Sequence, residues 1–365
     1  MQVDLALDVL GDIMGWDLER CRREYGWLRL MAKFKYDEYR DFVAGIRFFE
    51  SLADWLQQFP VEARESAYTF LRSRLLFFSA AEMQHLVELL YPEVVRPLIL
   101  AQVANHANIP SYMVWSRTDS VDLYKKFLRR SLFFGLSDGA RIDTFRRSTT
   151  GIISNEQVML ATEISDGKWA QVLRTLRKDE HDDNARFQMI FLVDDFNATG
   201  TTLKGKLERF WNNLKQYKIV ETHMEPDWGV HVHHYVCTEK AASMVLEDNA
   251  AISQSRPGDW FEHIAFSHFL KLTPHLQVTE ANCGSFWNLI QTYYDSVIET
   301  EHTRKGGYED VKLGFGYCAL PLVFEHNTPN NSIPLLWAET EGMNGMHAMR
   351  PLFRRRQRHT ELTNG

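Results

Sequence analysis

Cysteine is scarce in this 365-residue chain, and the four present (Cys21, Cys237, Cys283 and Cys318) lie far apart with no C-x-x-C pair. That spacing excludes a paired-thiol zinc site and a disulfide framework, and it predicts the reduced thiols of a cytoplasmic protein. No apolar run approaches the roughly 20 residues that cross a bilayer, so no membrane partner is expected. The amino terminus, MQVDLALDVLGDIMGWD, carries acids where a signal peptide carries Lys or Arg, and secretion is not expected. Positive charge is not in surplus either. A formal net charge of -7 argues against wholesale electrostatic binding to nucleic acid. Internal repeats and low-complexity segments are missing, which removes solenoids and disordered arrays.

What remains is an ordinary globular composition, 45% hydrophobic and 24% charged, long enough for one large domain or two smaller ones. Residues 1–115 read as a helical region. In DEYRDFVAGIRFFESLADWLQQF, Tyr39, Phe42, Val43, Ile46, Phe49, Leu52 and Leu56 recur at three- and four-residue steps, which predicts an amphipathic helix ended by Pro60. SAAEMQHLVELLYP predicts a second helix, with Ser79 and Glu82 at capping-box spacing and Pro92 as its stop. Such helices form a structural or partner-docking layer more readily than a catalytic one.

From about residue 116 to 345 the pattern changes. The helix SVDLYKKFLRR, the strand SLFFGL and the turn SDGARID are followed by the helix SDGKWAQVLRTLRK and the strand FQMIFLV. Next come the helix TLKGKLERFWNNLK, the strand GVHVHHYVCT and the helix EKAASMVLE. Buried strands alternating with helices predict a parallel sheet in an α/β domain. The last segment, 346–365, is basic and reads as a loose tail; its run Arg354 to Arg356 is either a solvated feature or a contact for nucleic acid.

One stretch calls for a ligand. FLVDDFNATGTTLKG sets Asp194 and Asp195 at the end of an apolar strand and follows them with Ala198, Thr199, Gly200, Thr201 and Thr202. In open parallel sheets, ligands bind beyond the carboxyl ends of the strands. Small residues let backbone approach a ligand closely, and exposed amides at a helix start attract an anion. The combination describes an anion cradle beside two carboxylates, which suits a phosphorylated ribose. Rival motifs fail: Gly200 has no Walker A partner upstream, the turn lacks G-x-G-x-x-G, and Asn197 stands where an aspartyl phosphatase needs an acid.

FLVDDFNATGTTL resembles the ribose-phosphate signature of the type I phosphoribosyltransferases, and D-D-x-x-A-T-G-x-T is closest to its adenine-type version. The resemblance implies a type I phosphoribosyltransferase-like α/β fold, a parallel sheet flanked by helices, behind the amino-terminal helical region. It also implies Mg²⁺ as cofactor, with phosphoribosyl pyrophosphate or a nucleotide as substrate. Asp194 and Asp195 would then serve as catalytic and metal-site residues holding the ribose hydroxyls and Mg²⁺-bound water. Ala198 to Thr202 would wrap the 5-phosphate. Ala198 departs from the hypoxanthine- and guanine-type enzymes, which carry a base-activating acid there.

An earlier loop should meet pyrophosphate, and Ser137, Asp138 and Gly139 are its candidates. A simple strand–helix connection is the alternative. FRRSTTGIISNEQ suits a mobile lid, where Arg146 and Arg147 would either meet pyrophosphate or stay solvated.

FRRS, VDDFNATGTTL and LGFGYCALPLVFEHNTPNNSIPLLWAE together resemble a bacterial phosphoribosyltransferase-like subgroup of defence loci, including some retron systems. That likeness implies an antiviral effector, with protein or ribonucleoprotein partners, and leaves open a catalytically inactive nucleotide sensor. In HNTPNNS, Asn327, Thr328, Asn330, Asn331 and Ser332 either read a nucleobase edge or satisfy one another around Pro329. His231 and His233 share a strand face, where satisfied histidines are commoner than a metal site.

The turn yields a first prediction. Gly200→Val should lower ribose-phosphate affinity at least about tenfold, roughly 1.4 kcal/mol, while most of the melting temperature is retained. Thr202→Val should cost less. Calorimetry beside thermal unfolding checks both; a Gly200→Val protein that binds normally would make the turn merely structural.

Overall fold

The computed structural model describes residues 3–42, 45–299, 309–342 and 347–355. The chain forms two compact units, one from Met1–Glu82 with Thr273–Gly365 and one from Met83–Leu272. The described residues contain seven strands: β1 (Leu76–Phe78), β2 (Ser131–Gly135), β3 (Val158–Met159), β4 (Phe187–Asn197), β5 (Met224–Thr238), β6 (Ile264–Leu272) and β7 (Leu322–Phe324). None of the described helices is long and apolar enough to cross a membrane.

The 83–272 unit is built on a five-stranded sheet in the order β3-β2-β4-β5-β6, and every pairing is parallel. Its strands β2 and β4 are largely apolar on both faces, as in a sheet covered on each side, while β5 carries His231 and His233 on one of its faces. On one face Leu132, Phe134, Ile190, Leu192, Val230 and Val232 share a core with residues of the helices Asp166–Glu180 and Thr201–Gln216. Opposite them Phe133 stacks on Phe191 at 5.0 Å between ring centroids and meets Phe145 at 5.1 Å. β4 lies in the middle, between β2 and β5, so its carboxyl end is the natural place for a ligand.

Much of the predicted order is present. The helices Thr118–Arg129, Asp166–Glu180, Thr201–Gln216 and Glu239–Ser255 and the strands between them occupy the predicted segments. β4, however, does not stop at Val193. Its ladder with β5 continues to Asn197, so the acid pair lies within a hydrogen-bonded strand.

The other unit is a helical layer around a short parallel pair, β1 with β7, in register from Leu76↔Leu322 to Phe78↔Phe324. Several expectations fail here for local reasons. The helix expected from residue 37 begins only at Phe48, because Gly45 takes a left-handed φ of 86° and the Asp37 carboxylate accepts from the Phe48 amide at 3.1 Å. Val43, part of the expected stripe, lies outside the described residues. Pro60 opens the next helix, Val61–Arg74, a position where proline's missing N–H costs nothing.

The predicted cap at Ser79 does form. The Ser79 amide and hydroxyl both donate to Glu82 Oε2 at 2.8 Å. In the 83–272 unit Pro92 is no stop: a π-helical turn, Leu90–Val95, absorbs it and the helix Arg96–Ala107 follows.

The unit boundaries differ from the sequence-read ones at 115 and 345 because residues 273–355 share a core with the amino-terminal helices. Within the segment read as a tail, Met349, Leu352 and Phe353 are fully buried in that core. Arg354 pairs with Glu339 at 2.6 Å and Arg355 lies over the Trp337 ring; Arg356 is outside the described residues.

Three side chains of the HNTPNNS loop are bonded to backbone carbonyls. The Thr328 hydroxyl donates to the Phe353 carbonyl at 3.2 Å, Asn331 Nδ2 to the Phe315 carbonyl at 2.9 Å, and Ser332 Oγ to the Leu322 carbonyl at 2.6 Å. These contacts favour the reading in which the loop satisfies its own groups.

At the amino end of the sheet Arg130, whose side chain is 10% exposed, pairs with Glu180 at 2.7 Å and Glu225 at 2.6 Å. Arg130→Ala would remove the cation that Glu180 and Glu225 share, leaving Glu180 only Lys126 at 4.0 Å. A loss of roughly 3–5 kcal/mol is expected, read as a lower urea midpoint. An unchanged midpoint would show the cluster to be a surface feature.

Candidate functional site

At the carboxyl end of β4 the strand turns through Ala198 to Gly200 into the helix Thr201–Gln216. The turn is held from inside. Asn197 Oδ1 accepts from the Gly200 amide at 2.8 Å, and Thr238 Oγ1, at the end of β5, donates to the Ala198 carbonyl at 2.7 Å. Gly200 adopts φ +79°, a conformation that L side chains rarely take, and a Cβ there would meet Met244 and Val245 at 3.4 Å. Ala198 is buried, Thr199 half-buried, and Thr201 and Thr202 are exposed at the start of the helix.

The two acids differ in surroundings. Asp194 is only 4% exposed. Its Oδ1 accepts from the Ser137 hydroxyl and its Oδ2 from the Lys206 ammonium, the latter at 2.5 Å. Asp195 is half-buried, and its Oδ1 accepts from the Phe196 amide at 2.8 Å. The loop after β2 therefore reaches the acid pair, as two of its three candidates show. Ser137 bonds Asp194, and Gly139 lies so close to Asp195 that a Cβ would fall 2.3 Å from Oδ2. A side chain there would force the Asp195 carboxylate to move. Asp138 is exposed on the same short turn.

Arg146 and Arg147 lie on the short helix Ile142–Ser148. Arg147 is exposed and pairs with Asp143 one turn earlier at 3.3 Å, which accords with a solvated residue. His231 and His233 both hydrogen-bond the Ser267 hydroxyl at 2.7 Å, so the strand histidines find a partner on the neighbouring strand. Burial pushes the His231 imidazole down to about 4 and that of His233 well below its ordinary value.

Sequence reasoning missed two participants. Lys206 stands on the sheet-facing side of its helix, three residues from Leu203 and four from Phe210, both buried. A lysine on that side was the available signal. His234, paired in register with Asp194 and itself buried, was hidden in the HVHH run. Burial first, then the neighbouring Lys206 charge, pushes its imidazole down to about 3. It is neutral at physiological pH.

The strand end thus offers carboxylate and hydroxyl oxygens, the hard donors that Mg²⁺ prefers. Among the described residues no group of three or more His, Cys, Asp or Glu forms a closed metal cage. Mg²⁺ bound through one or two carboxylates and substrate phosphates does not need one.

A parallel sheet with acids at the end of its central strand, a small-residue turn and a helix starting beside it defines a phosphoribosyltransferase-like fold. Comparison with protein families gives the same answer in sharper form. Residues 52–355 match PRTase-CE, and the chain belongs to that phosphoribosyltransferase-type family. Searches of curated proteins and of solved structures return no match.

The surroundings of Asp194 have a pH signature. Burial, then the Asp195 charge, pushes its carboxyl up from 3.8 to about 6, against the pull of Lys206 and Ser137. A raised folded value means that its stabilising contribution is complete below the unfolded value near 4 and is lost as pH rises through about 6. The stability difference between wild type and Asp194→Asn should therefore shift against wild type between about pH 4 and 6 and level off above. Denaturant titrations across that range check this; a flat difference would mean an unshifted carboxyl.

Proposed function

We propose that the 83–272 unit binds phosphoribosyl pyrophosphate or a nucleotide at the carboxyl end of β4 and acts at C1 of its ribose. The observation that carries this reading is the convergence of three parts at the carboxyl end of β4: the acid pair, the turn at Gly200, and the β2 loop, whose Ser137 bonds Asp194 and whose Gly139 packs against the Asp195 carboxylate. Each part suits a portion of the ligand. The 5-phosphate fits the turn and the first amides of the helix Thr201–Gln216, with the exposed Thr201 and Thr202 hydroxyls as further donors. Asp195 accepts hydrogen bonds from the ribose hydroxyls and holds C1 towards the acceptor. The Ser137–Gly139 backbone faces the leaving group.

Mg²⁺, held by Asp195 and its neighbour Asp194 through water, would supply charge neutralisation for pyrophosphate. The chain's own part is orientation. A departing pyrophosphate leaves positive charge on the sugar, and the nearby carboxylates favour that charge electrostatically.

By the likeness to defence-locus proteins, the activity belongs to an antiviral effector that acts on nucleotides during infection, with protein or ribonucleoprotein partners. A second reading, a nucleotide sensor without turnover, is favoured by Ala198. It is buried and offers no acid to activate a base.

One experiment separates these readings. Purified protein is mixed with phosphoribosyl pyrophosphate or nucleotides, candidate bases and Mg²⁺, while pyrophosphate and free base are followed. Turnover reduced at least about 100-fold in Asp195→Asn is the expected result. Binding without turnover selects the sensor, and failure of every ribose phosphate to bind sinks both.

A further inference from the structure

We propose that β5 carries two positioning residues that set the two halves of the ligand site separately: Tyr235 holds the β2 loop that faces the leaving group, and Thr238 holds the turn that takes the 5-phosphate; this rests on the ribose-phosphate reading of the site. The register of the sheet puts both within reach. His234 and Val236 pair with Asp194 and Phe196, so Tyr235 lies level with Asp195. Cys237 pairs with Asn197, so Thr238 lies level with Ala198. Residues three apart on a strand point to opposite faces. Tyr235 is on the face of Phe191 and His231, which is also the face of Phe145 in the helix that follows the β2 loop.

Tyr235 is fully buried, and its hydroxyl donates to the Ala140 carbonyl at 3.1 Å. β4 lies between β2 and β5, so a side chain from β5 has to cross it to touch that loop, and a phenol is long enough to do so. Burial, then the charges of Asp195 and Asp194, pushes the phenol above its ordinary value, so it keeps the proton it donates. Thr238, 7% exposed, works at shorter range. Its Oγ1 donates to the Ala198 carbonyl at 2.7 Å and accepts from the Ala241 amide at 3.0 Å. One hydroxyl thereby joins the turn to the start of the helix Glu239–Ser255, whose Met244 and Val245 lie beside Gly200.

Both hydroxyls act on carbonyls, and that decides what they do for an anion. In a trans peptide the carbonyl and the following amide point in opposite directions. Anchoring the Ala140 carbonyl on the phenol therefore aims the Arg141 amide away from Tyr235. Anchoring the Ala198 carbonyl in the same way aims the Thr199 amide away from Thr238. Amides turned outward from a loop form the concavities that hold phosphate groups. Each hydroxyl sets the amides of one loop.

The test uses the full chain and two calorimetric probes, pyrophosphate with Mg²⁺ for the β2 loop and ribose 5-phosphate for the turn. Tyr235→Phe keeps the ring and loses only the hydroxyl. It should weaken pyrophosphate binding about fivefold or more and leave ribose 5-phosphate within about twofold of wild type. Thr238→Val should do the reverse. Thr238→Ser, which keeps the hydroxyl, should hold ribose 5-phosphate binding within about twofold of wild type. In ligand-free protein, hydrogen exchange should quicken at the 137–141 amides in Tyr235→Phe and at the 198–200 amides in Thr238→Val.

A variant that loses both probes equally overturns the proposal, as does a Tyr235→Phe or Thr238→Val protein that binds and exchanges like wild type. So does a Thr238→Ser protein as impaired as Thr238→Val. If Thr238→Val does not fold, Tyr235→Phe decides by the same readouts. Wild-type protein that binds neither probe would refute the ribose-phosphate reading, and exchange at the two loops would still judge the two hydroxyls.

Discussion

A carboxylate that is 4% exposed at the end of a central strand has to be answered by its neighbours, and much of the candidate site follows from how Asp194 is answered. Lys206 brings the helix Thr201–Gln216 against β4, and Ser137 brings the β2 loop to the same point. Neither contact is a surface ion pair of small value. Both are partly desolvated and charge-assisted, the kind that fixes geometry more than it adds net stability. The half-buried Asp195, the Gly139 contact and the left-handed turn at Gly200 are arranged around this joint.

The parallel sheet explains why the joint sits where it does. β4 is flanked by β2 and β5, so its carboxyl end is bordered by the loops of both neighbours. Thr238 from β5 steadies the Ala198 carbonyl, and Tyr235 from the same strand donates to the Ala140 carbonyl at 3.1 Å. Here the loops are held by hydroxyls on backbone carbonyls. At the opposite end Arg130 gathers Glu180 and Glu225, so acids there are committed to holding the sheet together.

The unit formed by residues 1–82 and 273–365 shows how a polar motif becomes structural. HNTPNNS carries groups able to read a nucleobase, yet Thr328 and Ser332 are fully buried and bonded to backbone carbonyls. Glu325 beside them is fully buried and pairs with Arg40 at 2.8 Å. Polar residues near a buried strand such as β7 must find partners, and here the chain supplies them.

The sequence alone was enough for the alternation of strands and helices after residue 116 and for the small-residue turn, though not for the three residues by which β4 runs past Asp194. Each is written in a short window: apolar runs, helical periodicity, and glycine where φ must be positive. It was also enough for the Ser79–Glu82 cap, a contact between residues three apart.

Where the amino-terminal stripe would break was less legible, because the left-handed Gly45 and the Asp37 cap overrode a periodic pattern. The buried end of the supposed tail was hidden because its apolar residues are few among arginines. That Ser137 and Lys206 both answer Asp194 went beyond the one local signal, a lysine on the sheet-facing side of its helix. Ser137 is 57 residues away and Lys206 is 12, and only the packing of helix on sheet, with the exclusion of water it brings, turns those three into one joint.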